Sequence, residues 1–282
     1  MVLEVNSQSK ICRFCSGETL PYMKNGSFCH SCSSVLVDKS PSLSELALFY
    51  DSFQDDYHGG GTESNALGRQ LKWARKYLEL SKRYSKGDTL IDVGSANNPF
   101  PNIASEFYNV TCLELKKPKS LSKKVCFEQG SIIDDLKEFK QFDVVTCWAV
   151  LEHVLDVEKA IVNLLSLCKP GGVIIFSTPL AGSIADKYGA GVTPWFNPPE
   201  HIFLISHDAL RLMFERHGGS VVKLTTLDYS FYRRAARLLL VFLEGSIGYI
   251  MFKLWPAKWK ILRKSRVIKN YAVSLGVVKK NF

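Results

Sequence analysis

"LIDVGSANNPF", residues 90–100, decides how this chain is read. Leu90 and Ile91 lead into Asp92, Val93 and Gly94. The small, turn-prone Ser95, Ala96, Asn97, Asn98 and Pro99 follow. A short apolar run bounded by such residues reads as a buried strand entering a tight loop. An acid at the strand end, small residues that let the backbone approach a ligand, and a helix beyond them form an arrangement for holding a nucleotide. Glu114 lies 22 residues after Asp92, at the end of the next expected strand, where it can accept both hydroxyls of a ribose. The loop has one glycine where the phosphate-cradling G-x-G-x-x-G has three, which argues against a dinucleotide dehydrogenase.

Outward from this stretch the pattern alternates. Strands are expected at Thr89–Val93, Val110–Glu114, Val125–Gln129, Phe142–Trp148, Gly172–Thr178, Ser220–Thr226 and Tyr271–Lys279. Helices are expected at Val154–Cys168 and Ser206–His217. Strands alternating with helices over this length imply an α/β fold with a parallel, doubly wound sheet of seven strands. Ahead of it, Pro41–Tyr57 holds a short helix. Asn65–Tyr84 reads as an amphipathic helix with Leu67, Leu71, Ala74, Tyr77 and Leu78 on one face. The "HGGGTESN" between them (58–65) reads as a flexible loop, which with Tyr57 and His58 offers a lid.

The N-terminal stretch carries a second chemistry. Cys12, Cys15, Cys29 and Cys32 form two C-x-x-C pairs within 21 residues. Two such turns complete a tetrahedral four-thiolate site for Zn2+, closed to further ligands and therefore structural. So short a segment has little core of its own, and the metal would supply its folding energy. Gly17 suits the turn after Cys15, and His30 sits inside the second pair as a spare donor. The expected division is a zinc module over 1–40, a helical linker over 41–85, and the main domain over 86–282 with a basic, apolar insertion at 229–270.

Composition sets further bounds. Of 282 residues 46% are apolar, enough for a packed core, and the net charge is +9. Between Arg233 and Phe282 there are 12 Lys/Arg and a single acid, Glu244, so the whole basic excess sits in the last fifty residues. An apolar run at 238–255 next to this cluster suits an interfacial contact with an anionic membrane over 233–270; the alternative is an insertion packed on the domain. Met1–Lys10 has no apolar stretch of the kind that marks an export signal. The expectation is a cytoplasmic protein with reduced cysteines, at the inner face of the membrane if the tail binds lipid.

Several segments together resemble the class I S-adenosylmethionine-dependent methyltransferases. "IDVGSA" resembles the family's first motif, and "LEL" with Glu114 its ribose-binding acid. "FDVVTCWAVLEHV" (142–154) resembles the fourth-strand motif, and "LCKPGGVIIFSTP" (167–179) the turn into the fifth strand. "WFNPPEHIFLISHDALRLMFERHG" (195–218) resembles the branch containing ubiquinone-biosynthesis O-methyltransferases and other small-molecule enzymes. The resemblance implies a Rossmann-like fold and S-adenosyl-L-methionine as cofactor. It implies that Asp92, Gly94, Ser95 and Ala96 line the methionine end, that Glu114 holds the ribose, that Ser131 and Ile132 flank the adenine, and that Trp148 lies near the sulfonium. Ala96 stands where the family prefers glycine, and Ser131 where it often has an acid.

A hydroxyl acceptor benefits from a general base. His153 in "LEHV" is the first candidate and His201 in "PPEHIF" the second; a packing role for the one and a loop-anchoring role for the other are the alternatives. His207 carries little weight. The branch's metal-binding Glu-x-x-Glu-His cluster is matched by Glu152 and His153, but Ala149 replaces the first Glu. The leading expectation is O-methylation of a small-molecule, sugar or lipid-linked acceptor. An rRNA base methyltransferase is the rival, since the zinc module and basic tail fit RNA, but the body is not basic and no base-gripping motif follows the fourth strand. A zinc-containing scaffold without catalysis is the third reading.

Overall fold

Strand β5 (Thr89–Val93) sits at the middle of a sheet because both of its faces are apolar: Leu90, Ile91 and Val93 are all buried. It pairs in parallel with β6 (Asn109–Glu114) on one side and β8 (Phe142–Trp148) on the other. The computed structural model describes residues 10–23, 25–52, 63–181, 196–228 and 272–281. The Tyr57–His58 lid and the basic segment 233–270 lie outside the described residues.

Outside β6 lies β7 (Cys126–Gln129); outside β8 lie β9 (Cys168–Pro179), β12 (Ala272–Lys280) and β11 (Gly219–Asp228). The seven-stranded order is β11-β12-β9-β8-β5-β6-β7, parallel from β9 to β7, with β12 antiparallel to both neighbours. The chain winds from β5 outward to β7 and then crosses to β8. The β5/β8 boundary is therefore the switch point, where open α/β sheets place ligands beyond the strands' carboxyl ends.

Helices cover both faces. On one side α2 (Glu63–Tyr84) and the short α3 (Phe100–Ala104) place Ala74, Tyr77, Leu78, Phe100 and Ala104 against Leu90, Cys112, Val144 and Ile175. On the other, α4 (Val157–Leu167) and α5 (His207–Arg216) place Ile161, Leu164, Leu210 and Phe214 against Ile91, Val93, Val145 and Phe176. Burial on α2 begins at Ala74, and Leu67, expected on its apolar face, is 52% exposed. Helix α4 starts three residues later than expected because the Asp156 carboxylate caps it, accepting from the Lys159 amide at 2.9 Å. The residues before it, Leu151–His153, form a 3-10 turn. Helix α1 (Leu43–Ser52) occupies the expected short-helix region.

The N-terminal residues form their own small sheet from β1 (Lys10–Ile11), β2 (Glu18–Met23), β3 (Gly26–Cys29) and β4 (Val35–Val37). Its fifth strand is β10 (Phe203–Leu204), contributed by the main domain and antiparallel to β4. The unit drawn at residue 40 on sequence is thus completed by residues more than 160 positions later. The Val37 amide donates to the Ile202 carbonyl at 3.0 Å, and Ser206 Oγ donates to the Cys32 carbonyl. Phe14 is fully buried, edge-on to Phe203 at 5.6 Å between ring centroids. Burying one such ring is worth about 1.5–3 kcal/mol.

Ser206 also caps α5 by accepting from the Ala209 amide at 3.0 Å. Ser206→Ala removes the cap and leaves a buried carbonyl without its donor. The expected cost is on the order of 2–3 kcal/mol, read from the urea midpoint. A change below about 0.5 kcal/mol would show that this junction carries no load.

Candidate functional site

The loop after β5 takes a conformation that few side chains tolerate. Gly94 has φ +70° and Ala96 φ +45°. A Cβ on Gly94 would collide with Val150 from the loop after β8, so glycine is required there twice over. Ala96 keeps the left-handed turn that the family's glycine would make, at about 1–2 kcal/mol. Ala149, after β8, is likewise left-handed at φ +53°. Strained backbone thus gathers where the carboxyl ends of β5 and β8 meet.

Asp92 is wholly buried and does not itself line the cleft as the resemblance implied. The alternation of β5 turns it to the α2 face, where it accepts from Thr146 Oγ1 on β8 at 2.6 Å and from Ser95 Oγ at 2.5 Å. It reaches the site through Ser95, fixing the loop from below. Burial pushes its carboxyl up to about 7, while the Ser95 and Thr146 hydroxyls and Trp148 pull the other way.

Glu114 stands at the end of β6 and is half-buried. Its Oε2 accepts from the Ala96 amide at 2.9 Å and its Oε1 from the Leu115 amide at 2.7 Å. A carboxylate has about four acceptor positions, so capacity remains for two ribose hydroxyls. Beyond β7, Ser131 is half-buried and its amide donates to Asp134 Oδ2 at 2.6 Å, which puts an acid beside the position where the family's own acid is missing. The Ile132 side chain is buried in the core under α4, and Asn163 Nδ2 holds the carbonyls of Ile132 and Asp134. Trp148 is a packed wall: it stacks on Tyr77 at 3.7 Å with 5° between the planes, with Phe100 edge-on at 5.5 Å. The contact with Tyr77 could not be read from sequence, because it joins α2 to the end of β8.

The two histidine candidates, 48 residues apart in sequence, come together. Their ring centroids lie 4.7 Å apart at 60°. His153 follows β8 in the 3-10 turn, and His201 precedes β10. His153 Nδ1 lies 3.0 Å from the Glu200 carbonyl oxygen, which only accepts; Nδ1 therefore carries the proton and the lone pair is at Nε2. Glu152 lies beneath them, 1% exposed, accepting from Thr178 Oγ1 at 2.9 Å. Burial pushes its carboxyl up to about 8. Ligand atoms of Glu152, His153 and His201 all lie within 4.8 Å of one another. His207 opens α5 and burial lowers its pKa; it is not part of this cluster.

The four cysteines also converge, their sulfurs within 4.8 Å of one another. Cys12–Cys32 and Cys15–Cys29 are 3.7 and 3.5 Å apart. Zinc–sulfur bonds of about 2.3 Å give a tetrahedral edge of about 3.8 Å, so the site fits Zn2+. The two turns repeat each other. Ser16 (φ 60°) and Ser33 (φ 59°) follow the second cysteine of each pair, and Ser16 N–Cys12 O and Ser33 N–Cys29 O hydrogen bonds match. The left-handed residue is the serine, not Gly17. Gly17 is needed because a Cβ there would strike Ser31 of the other turn. The Cys12 thiol is pushed down to about 5, chiefly by the Cys32 thiol and also by the Phe14 and Cys15 amides. His30 is exposed, packs edge-on against Phe28, and takes no part.

Comparison with known proteins agrees with this geometry. The model of a methyltransferase domain family matches residues 66–224. A ubiquinone biosynthesis O-methyltransferase from Coxiella burnetii is 48% identical over 154 residues, 51% of this chain and 65% of that protein. One from Rickettsia bellii is 30% identical over 157 residues, 50% of this chain and 65% of that protein. The chain spans 42–65% of the length of such curated relatives. In fold it is similar to a Burkholderia thailandensis 1,6-didemethyltoxoflavin-N1-methyltransferase solved with bound 1,6-didemethyltoxoflavin and S-adenosylhomocysteine. That match has a TM-score of 0.56 at 11% identity, over 94% of this chain and 99% of the other.

The raised Asp92 pKa has a testable sign. The folded chain holds this proton more tightly than the unfolded one, so stability falls as pH rises from about 4 through about 7. Asp92→Asn is expected to flatten that fall, which is on the order of 4 kcal/mol. Urea unfolding across this pH range measures it, and an unaltered slope would contradict the buried-carboxyl account.

Proposed function

Since the chain belongs to the methyltransferase-domain family, we propose that it is an S-adenosylmethionine-dependent O-methyltransferase acting on a small-molecule, sugar or lipid-linked hydroxyl. The observation that carries the choice of oxygen is the His153–His201 pair at the carboxyl end of β8, with the His153 lone pair fixed at Nε2. The names of the relatives from Coxiella burnetii and Rickettsia bellii support the same reading. When bound, the cofactor supplies an electrophilic methyl group on sulfur. Glu114 would hold its ribose, the strained 94–96 loop would lie along its methionine end, and Ser131 with the turn behind it would border the adenine. His153 Nε2 would take the proton of the acceptor hydroxyl, with the His201 ring packed edge-on beside it. The packed Tyr77–Trp148 wall excludes water from one side.

Two substitutions divide the roles. Glu114→Ala removes the ribose contact, and S-adenosylhomocysteine binding by calorimetry is expected to vanish while the fold persists. His153→Gln is expected to keep that binding and lower turnover on the order of 100-fold. Full turnover in His153→Gln and in His201→Gln would exclude a histidine base. A second reading makes Glu152, His153 and His201 the ligands of a divalent cation that lowers the acceptor's pKa. The 4.8 Å cluster supports it, and activity surviving exhaustive dialysis against a chelator would reject it.

The same reading places Zn2+ at Cys12, Cys15, Cys29 and Cys32. Cys12→Ser is expected to lose the metal. Because β10 belongs to the module's sheet, it should lower the unfolding midpoint of the whole chain and not of residues 1–40 alone. Metal retained at one per chain would refute the ligand set. The 233–270 segment, by its composition, supports contact with anionic lipid and an acceptor carried there. Cosedimentation with anionic vesicles tests this, and steeply salt-dependent RNA binding would favour the nucleic-acid alternative. No helix among the described residues is long and apolar enough to cross a membrane.

A further inference from the structure

The contacts of the first cysteine turn with the main domain include Leu155 and Phe203, each two residues beyond a histidine of the site. Arg13 lies between Cys12 and Cys15. Its Nη1 donates to the Leu155 carbonyl at 2.9 Å, and its guanidinium lies over the Phe203 ring at 5.7 Å. Leu155 follows His153 by two residues, and Phe203 follows His201 by two. The same segments are tied again: Phe14 packs on Phe203, Val37 pairs with Ile202, and the Ile202 amide donates to the Glu152 carbonyl at 3.1 Å. On the far side Arg216 donates to the Phe14 carbonyl and meets Glu158 at 3.3 Å.

We propose that the metal-bound cysteine module is a positioning element for the site, and that Arg13 is the side chain that holds His153 and His201 in register. This rests on the reading of the two histidines as reacting groups, and it assigns the module a role beyond stability. The 197–206 loop has little regular structure apart from β10 and a bridge from Ile205 to Leu180 at the end of β9, so its position depends in part on what β10 pairs with. The partner is β4, which follows directly on the second cysteine turn, and a metal held by the four thiolates would fix the two turns relative to one another. A four-thiolate centre would then set the place of His201 jointly with the Ile202–Glu152 and Ile205–Leu180 ties, while Arg13 links that place to His153. Cofactor contacts lie at the ends of β5 and β6, and none of the contacts that Arg13 makes touches them.

Arg13 is exposed and is not a metal ligand, so Arg13→Met leaves the fold and the four thiolates intact. With the full chain, the expected results are zinc at one per chain, unchanged affinity for S-adenosylhomocysteine, and altered imidazole nitrogen shifts of His153 and His201 by NMR. Turnover should fall on the order of 10- to 100-fold at unchanged KM for the methyl donor. Arg13→Lys, which keeps a donor for Leu155, should recover part of both signals. Unaltered histidine signals in Arg13→Met would overturn the proposal. If instead those signals move while His153→Gln is fully active, the positioning stands and the base assignment fails.

Discussion

The structure turns on one buried carboxyl. Asp92 lies on the central strand with no contact to solvent, yet it joins three elements: its own strand, β8 through Thr146, and the ligand loop through Ser95. An uncompensated charge there would be costly, and two hydroxyl donors with a raised pKa are how the fold accommodates it. Because Ser95 is held from beneath, Gly94 and Ala96 can be held in left-handed backbone above it. The Ala96 amide is then presented to Glu114, so the two acids of the site are linked through a single loop.

The catalytic side is arranged on a different principle. His153 belongs to the sheet, since it follows β8 directly. His201 belongs to a loop that pairs with the cysteine module through β10 and with the end of β9 through a bridge between Leu180 and Ile205. The two histidines of the proposed site are thus held by different structures, His153 by the parallel sheet and His201 by a loop that joins the sheet to the cysteine module. The 94–96 loop and Glu114 rest on hydrophobic packing of both sheet faces.

Much of this was legible in the residues. Leu90–Val93, Val144–Trp148 and Ile174–Phe176 show the largely apolar runs of strands buried on both faces, broken only by Asp92 and Thr146, and the four cysteines announce their own convergence by spacing. What could not be read is what depends on long-range partners. Phe203–Leu204 is a strand only because β4 lies beside it, and two residues carry no periodicity. The face of α2 was clear, but periodicity does not say how far a neighbour reaches, and so Leu67 proved exposed. Asp92 was recognised as a site residue but not as a buried one, because the alternation that turns it inward emerges only when its neighbours on β6 and β8 are known. The meeting of His153 with His201 was beyond the sequence for the same reason: a loop's destination is set by what it docks on.

The pairing of β4 with β10 has a consequence for biogenesis. Leu36 faces Phe203 across 167 positions of chain, so during synthesis the outer edge of the N-terminal sheet waits with its backbone donors and acceptors unmatched until most of the polypeptide has left the ribosome. Metal capture by the early cysteines would order the turns long before that partner arrives. A cell short of zinc would then present a sticky strand edge, and the nascent chain, more than the finished protein, would bear the burden of scarcity.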